Sequence, residues 1–183
     1  MKQKILLTGR PGCGKTTLIK RLVRHLAHAA GGFYTEEIRD RGTRTRVGFK
    51  IVTLDGDEVV FAHVDIESSV RLGKYRLDLS ALEGVGVRAV RAAMRKGLLV
   101  VIDEIGPMEI RSPAFRQTVN EALDSKVPVL ATIFARPLPF TDAIKSRADV
   151  TLMEVRPDNR ERLVSELLRG CWLRIEGMKA VES

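Results

Sequence analysis

Residues 4–16 read KILLTGRPGCGKT, and this stretch decides the fold of the chain. Its first five residues are mostly apolar and predict a β-strand. The next eight, Gly9 to Thr16, place four residues between a first glycine and a Gly-Lys-Thr triplet. Glycines let such a loop turn its backbone N–H groups inward, and a following helix adds partial positive charge at its N-terminus. The stretch therefore predicts a phosphate-binding loop between a strand and a helix.

Two side chains of the loop have predicted roles. Lys15 is expected to reach the β- and γ-phosphates of a nucleotide and to act in catalysis, and Thr16 to offer its hydroxyl to Mg²⁺. Cys13 occupies a variable position and is interpreted as a small filler. The predicted nucleotide-binding residues here are Gly9, Arg10, Pro11, Gly12, Cys13, Gly14, Lys15, Thr16 and Thr17.

A second acidic site follows the apolar run from Leu98 to Ile102, which predicts a strand covered on both faces. Asp103 at the strand tip is expected to hold Mg²⁺. Glu104 should project the other way along the pleat, as the catalytic group that orients or deprotonates a water. A catalytic acid beside the metal ligand favours hydrolysis.

Further candidates surround the next strand, predicted from Val127 to Phe134 between the first strand and the acidic strand. Thr132 near its tip is a candidate sensor of the γ-phosphate, and strand packing is the competing interpretation. Phosphoryl transfer also uses extra positive charge, for which the candidates are Arg136, Lys145 and Arg147.

Apolar runs alternate with helical periodicity along the chain, which predicts a mainly parallel sheet in a three-layer αβα fold of the P-loop class. The Asp-Glu pair favours the RecA-like division of that class. Asp-Gly between β-prone runs predicts an antiparallel hairpin insert beside the sheet. The predicted elements are a helix from Gly14 to Ala30 stopped by Gly31-Gly32, a strand from Phe33 to Thr35, hairpin strands Val47–Leu54 and Glu58–Val64, helices Ser80–Lys96 and Asp158–Arg169, a helix capped by Ser112-Pro113, and a strand from Val150 to Met153.

We expect residues 1–170 to form a single domain, with the insert at about 39–78 and a C-terminal tail at 171–183. No apolar run reaches the roughly 20 residues of a membrane span. The N-terminal apolar stretch is too short for a signal peptide, and no targeting motif is visible at the C-terminus, so the expected location is the cytoplasm. The two cysteines form no disulfide framework. A monomer is expected, because no long apolar stripe is exposed.

From Lys4 to Arg169 the chain resembles the small nucleoside-triphosphatases of the thermophile type, a family that includes the vertebrate cancer-related nucleoside-triphosphatases. The order and spacing of several segments match. They are Gly9–Thr16, Gly32–Arg39, Val47–Phe49, Leu72–Tyr75, Asp103–Glu109, Pro128–Ile133 and Ile144–Arg147.

The resemblance implies Mg²⁺-dependent hydrolysis of ATP, GTP and other nucleoside triphosphates to diphosphate and phosphate, with loose base selectivity. It also implies that the loop binds the phosphates and that Asp103, Glu104, Ile105 and Gly106 line the nucleotide site. It makes Glu36, at the expected end of the second strand, a candidate for the site.

Two other functions fit parts of the sequence. A nucleoside or nucleotide kinase can carry the same form of the loop, and the arginines of the insert would then bind an acceptor. A nucleic-acid-stimulated ATPase would use the net charge of +8 and the basic segment from Arg39 to Arg46. Against nucleic acid, aromatic residues for base stacking make up only 5% of the chain.

Overall fold

The computed structural model describes residues 3–26 and 29–179, with side chains as far as residue 169. Its centre is one nine-stranded sheet. The strands are β1 (Lys4–Thr8), β2 (Ala30–Arg39), β3 (Arg46–Thr53), β4 (Glu58–His63), β5 (Arg71–Leu72), β6 (Tyr75–Leu77), β7 (Leu99–Ile105), β8 (Val129–Ile133) and β9 (Val150–Glu154).

The strand order is β5-β6-β4-β3-β2-β7-β8-β1-β9. Strands β2, β7, β8, β1 and β9 are parallel, as expected of a nucleotide-binding α/β sheet. Strands β3 to β6 add an antiparallel extension at one side. The prediction that β8 lies between the loop-bearing strand and the acidic strand is confirmed. The acidic strand and the phosphate loop therefore open at the same edge of the sheet.

Helices cover both faces of the sheet, and the core divides accordingly. Leu6 of β1 lies in one core with α3 (Arg88–Arg95), α4 (Pro113–Asp124) and the insert. Ile5 and Leu7 lie in the other core with α1 (Lys15–His25) and α6 (Arg160–Lys179). This alternation follows the two-residue repeat of a strand. The helical elements are α1 (Lys15–His25), α2 (Leu79–Ala81), a π-helical turn (Leu82–Val87), α3 (Arg88–Arg95), a 3₁₀ turn (Glu109–Arg111), α4 (Pro113–Asp124), α5 (Pro139–Lys145) and α6 (Arg160–Lys179).

Two local signals are confirmed. Ser112 caps α4 by accepting a 3.0 Å hydrogen bond from the backbone N–H of Phe115, and Pro113 takes the first helical position. Asp55 and Gly56 form the turn between β3 and β4, where Gly56 has a φ of 99°.

The predicted boundary between the first helix and the second strand is wrong. The helix ends at His25, and both Gly31 and Gly32 lie within β2. A Cβ on Gly32 would lie 2.1 Å from the carbonyl oxygen of Val101. Glycine here serves a close approach between neighbouring strands rather than a helix end. Strand β2 also runs on to Arg39, well past the predicted end at Thr35.

Three helices also differ from prediction. The helix predicted over Ser80–Lys96 contains the π-helical turn, and α5, which begins with Pro139, was not predicted. Helix α6 continues past Gly170 to Lys179, because an interior glycine weakens a helix by only about 1 kcal/mol. Among the described residues, no helix has the length and apolar character that crossing a membrane requires.

Candidate active site

The phosphate loop connects β1 directly to α1. Gly9, Gly12 and Gly14 have φ values of 149°, 77° and 96°, and the last two lie in the left-handed region that glycine tolerates. Gly14 is the N-cap of α1, so the free N–H groups of the helix face the loop opening. Lys15 folds back over the loop and donates a 3.2 Å hydrogen bond to the carbonyl of Gly9. The sequence therefore builds a cationic cradle from backbone N–H groups and one ammonium group.

Asp103 lies buried at the carboxyl end of β7. Thr132 of β8 donates a hydrogen bond to its Oδ1 atom, while its buried Oδ2 atom has no hydrogen-bond partner. Burial raises the pKa of Asp103 above its ordinary value, although hydrogen bonds from Thr132 and Thr16 and the charge of Lys15 oppose the rise. A buried carboxylate oxygen without a partner is costly, and a bound cation would satisfy it.

Glu104 faces the same space as Asp103. Its Oε1 atom lies 3.6 Å from Nζ of Lys15. Burial raises the pKa of Glu104, and the nearby Lys15 counteracts part of this rise. The prediction that Glu104 projects away from Asp103 is wrong. The register of β7 against β8 shifts between Ile102 and Ile105, so the regular alternation of the pleat does not hold there.

These groups line one open cavity of about 610 Å³. The cavity brings together three separate parts of the chain: the phosphate loop with α1, the β2–β3 hairpin, and the end of β7. Its lining residues are Pro11, Gly12, Gly14, Lys15, Thr16, Thr17, Lys20, Thr35, Glu36, Glu37, Phe49, Asp103 and Glu104.

Five predicted binding residues do not line this cavity. Arg10 is exposed, and Cys13 and Ile105 are buried in the two cores. Gly9 lies against the carbonyl of Val155, and Gly106 lies between two carboxyl groups described below.

The less specific candidates are mostly placed elsewhere. Thr132 is directed at Asp103, so it is not a free sensor hydroxyl. Arg136 is exposed in the loop after β8, and Lys145 contacts the backbone of that loop and Asp142. The side chain of Arg147 pairs with Asp124 and Asp149 outside the cavity. The hydrogen bond to Asp149 is the largest cause of the raised pKa of Arg147.

Glu36 does line the cavity, although it lies within β2 and not at the predicted strand end. Lys20 donates a hydrogen bond to its Oε1 atom, and Nζ of Lys50 lies 3.3 Å from its Oε2 atom. The hydrogen bond from Lys20 lowers the pKa of Glu36. The Lys20 ammonium also lies 4.6 Å from the ring centroid of Tyr34. A second cation, placed one turn along α1 from Thr16, therefore faces the cavity without having been predicted.

Glu109 was also not predicted, because nothing in its local sequence distinguishes it from a surface acid. The structure buries this carboxyl, which is 6% exposed, behind Gly106. A Cβ on Gly106 would lie 2.9 Å from Oε2 of Glu109 and 3.2 Å from Oε2 of Glu104. Burial, followed by the charge of Glu104, raises the pKa of Glu109 to about 8. The absence of a side chain at Gly106 thus lets a neutral acid approach Glu104.

The extension supplies the remaining wall through Phe49 of β3. Its ring meets Tyr75 edge-on, with 5.3 Å between centroids, and Tyr75 is buried beneath it. Arg46 pairs with Glu37 and donates a hydrogen bond to the Tyr75 hydroxyl. These contacts fix the hairpin against the cavity, and they engage one arginine of the basic segment within the protein.

Comparison with known proteins agrees with this geometry. A sequence model of the NTPase family matches residues 4–168. The nucleoside-triphosphatase THEP1 of Thermotoga sp. (strain RQ2) is 50% identical over 165 residues, covering 90% of this chain and 93% of that protein.

Two solved structures are also similar. The crystal structure of THEP1 from the hyperthermophile Aquifex aeolicus has a TM-score of 0.84 and 34% identity, covering 91% of this chain and 98% of that one. The solution structure of a human cancer-related nucleoside triphosphatase has a TM-score of 0.78 and 34% identity, covering 92% and 97%. With nearly its whole length matched in sequence and in fold, the chain belongs to the NTPase family.

Proposed function

We propose that this protein is a Mg²⁺-dependent nucleoside-triphosphatase that converts ATP, GTP and other nucleoside triphosphates to diphosphate and phosphate. Family membership supports the hydrolysis of nucleoside triphosphates and the use of a divalent cation. The observation that carries the finer proposal is the meeting of the phosphate loop, Asp103 and Glu104 in one cavity.

The residues present fit a hard divalent cation. Asp103 offers a buried carboxylate oxygen without a partner, and the Thr16 hydroxyl lies on the same side of the loop. Mg²⁺ takes oxygen ligands and is commonly held by one or two protein groups together with phosphate oxygens and waters. A cation bound there would neutralise negative charge on the phosphate oxygens. Thr132 would keep the Asp103 carboxylate correctly oriented for this task.

Glu104 is proposed as the catalytic base. Its carboxylate would accept a proton from a water while the water oxygen bonds to the γ-phosphorus. The bond between that phosphorus and the β–γ bridging oxygen breaks, and the bridging oxygen keeps the electron pair. The products are a nucleoside diphosphate and inorganic phosphate. Burial raises the pKa of Glu104, which makes its carboxylate a stronger base than an exposed one.

Lys15 is proposed to change partners when nucleotide binds. Without nucleotide its ammonium contacts Glu104 and the Gly9 carbonyl. Phosphate oxygens of a bound triphosphate would attract it more strongly than these groups, because they carry more charge. The same movement would free Glu104 to accept the water proton.

Three further expectations accompany this proposal. Residues 1–170 would act as one domain with a tail at 171–183, and the family match over residues 4–168 supports this division. We expect a monomer. We also expect the protein in the cytoplasm.

The first experiment is Mg²⁺-dependent phosphate release from ATP, GTP, CTP and UTP, with product analysis, for the wild type and Glu104→Gln. We expect release from all four substrates and none in EDTA. The variant should lose turnover by about 10²–10⁴-fold while still binding nucleotide. Glu67→Gln, which changes an exposed carboxyl, is the matched control and should hydrolyse normally.

Either alternative function would be recognised in the same assay. If turnover requires an added nucleoside or nucleotide, which becomes phosphorylated, the protein is a kinase. If turnover requires RNA or DNA and falls steeply with salt, it is a nucleic-acid-stimulated ATPase. Full activity in Glu104→Gln would remove Glu104 from the proposed role.

A further inference from the structure

Arg160, the first residue of α6, does not itself line the cavity but lies against Gly14 of the phosphate loop, which does. A Cβ on Gly14 would lie 2.6 Å from its Nη1 atom and 2.9 Å from its Cδ atom. The side chain therefore crosses the Cα of the residue that caps α1. A side chain at position 14 would require the guanidinium to move away.

The turn before α6 holds Arg160 in this position. Asn159, which is 7% exposed, accepts a 2.9 Å hydrogen bond from the backbone N–H of Arg156 and donates another of 2.9 Å to the carbonyl of Glu154. The backbone N–H of Val155 donates a 2.7 Å bond to the carbonyl of Thr8. The end of β9, the turn and the phosphate loop are thus joined by hydrogen bonds, so the arginine has a fixed base.

The Glu161 carboxylate, whose pKa is lowered mainly by the hydrogen bond and charge of Arg21, also feels a weaker effect of the Arg160 charge. Within the side chains described up to residue 169, Arg160 forms neither a hydrogen bond nor an ion pair. Its neighbours on the helix differ, since Glu161 pairs with Arg21 and Arg162 with Glu166. Arg160 is half-buried beside Gly14, the N-cap at the positive end of α1. A guanidinium at the positive end of a helix dipole is unfavourable in the free protein, and a bound polyphosphate relieves it.

The strand order indicates which part of a bound nucleotide the Arg160 side chain would contact. Asp103 and Glu104 lie on the β7 side of β1, where the γ-phosphate is proposed to react, whereas β9 and α6 lie on the other side. A linear triphosphate with its γ-phosphate beside Glu104 directs its α-phosphate toward α6. We propose that Arg160 is a nucleotide-binding residue that holds the α-phosphate of the substrate.

This inference rests on the proposed function, and it explains one part of it. The α-phosphate is common to all nucleoside triphosphates, so a contact there strengthens binding without reading the base. An arginine at this position therefore agrees with loose base selectivity. It would bind the ground state and the transition state equally, because the α-phosphate takes no part in the bond changes.

The test compares Arg160→Ala with the wild type by calorimetric titration of ADP and of a non-hydrolysable ATP analogue, both with Mg²⁺. We expect the Kd of each to rise by about 10–100-fold and by the same factor, as for loss of one charge-assisted contact. The KM of all four triphosphates should rise equally, with kcat unchanged. Arg162→Ala, two residues along the same helix and exposed, should change none of these values. Arg160→Lys, which keeps the charge, should recover part of the affinity, and Arg160→Gln replaces the alanine variant if that variant unfolds.

Several results would overturn the proposal. An unchanged Kd for ADP would do so, as would a loss confined to the ATP analogue, which would place the guanidinium near the γ-phosphate. A larger loss for purine than for pyrimidine nucleotides would instead mean stacking on the base. Because the ADP titration requires no turnover, it tests Arg160 even if the protein proves not to be a triphosphatase.

Discussion

Replacing Glu109 by glutamine should change how the stability of this protein depends on pH. The buried carboxyl has a pKa of about 8 in the folded protein, against an ordinary value of 4.5. Below about pH 4.5 it is protonated in both the folded and unfolded states and adds no pH dependence. Between the two pKa values only the unfolded state releases the proton, so the free energy of unfolding falls as the pH rises. Above about pH 8 both states are ionised, and the loss stays constant.

The size of the effect follows from about 1.4 kcal/mol per pH unit over this interval, which gives about 5 kcal/mol in total. By pH 6 the free energy of unfolding of the wild type has fallen by about 2 kcal/mol, and by pH 9 nearly the whole decrease of about 5 kcal/mol has occurred. Glutamine has the same shape and stays neutral at every pH. The free energy of unfolding of Glu109→Gln, measured relative to that of the wild type, should therefore rise by about 3 kcal/mol between pH 6 and pH 9.

The assay is urea unfolding of the wild type and Glu109→Gln at both pH values, in EDTA and without nucleotide. The absence of cation and nucleotide keeps other charges away from Glu104, the neighbour that contributes to the raised pKa. Glu67→Gln, at an exposed position, is the control and should differ from the wild type equally at both pH values. If the difference between Glu109→Gln and the wild type changes by less than about 0.5 kcal/mol, burial does not keep Glu109 protonated, and our reasoning is refuted.

Two further substitutions test other parts of the structure. Thr132→Val removes the hydroxyl that orients Asp103. It should raise the Mg²⁺ concentration needed for half-maximal phosphate release by about 10–100-fold, whereas Thr132→Ser should stay near the wild type. Equal Mg²⁺ requirements in the two variants would exclude an orienting role. Lys4→Met removes the buried ammonium that donates hydrogen bonds of 2.8, 3.0 and 2.6 Å to the carbonyls of Ala122, Ser125 and Val127. Urea unfolding should show a free energy of unfolding lower by about 2–4 kcal/mol, with kcat unchanged. A variant as stable as the wild type would contradict that estimate.

Features governed by local rules were predicted well. The spacing from Gly9 to Thr16 specifies a loop whose required backbone angles come from the glycines themselves. The cap at Ser112 and the turn at Asp55 likewise depend on neighbours within a few residues. The position of β8 beside β1 was also predicted, because the acidic pair after the apolar strand indicates a particular strand order.

Glycine was the main source of error. The pair of glycines at positions 31 and 32 resembles a helix end, yet Gly31 is needed beside Ala93 of α3 and Gly32 beside Val101 of β7, both distant in sequence. Gly170 reads as a helix end too, but the helix continues. A glycine shows that something requires the absence of a side chain, and only the fold shows whether that is a turn or a close neighbour.

The missed site residues share a different cause. Lys20 meets Glu36, which was a predicted candidate, because α1 passes over β2, and Glu109 meets Glu104 because the chain turns after β7. Each is an ordinary charged residue in its own segment. Their significance comes from burial and from contacts across elements, which no local pattern encodes. The orientation of Glu104 was missed because the end of β7 departs from regular strand geometry.

The contact between Val155 and the phosphate loop has a consequence for the synthesis of the protein. The loop is made among the first residues, yet a carbonyl from near the end of the chain lies where a side chain of Gly9 would be, and the same residue donates a hydrogen bond to Thr8. Most of the chain must therefore leave the ribosome before Val155 can make its contacts with the loop. Chains interrupted before β9 carry the complete motif but should neither retain nor consume nucleotide. Nucleotide binding by a nascent chain would thus report that β9 has emerged and paired with β1, and premature hydrolysis by fragments is avoided by the order of assembly alone.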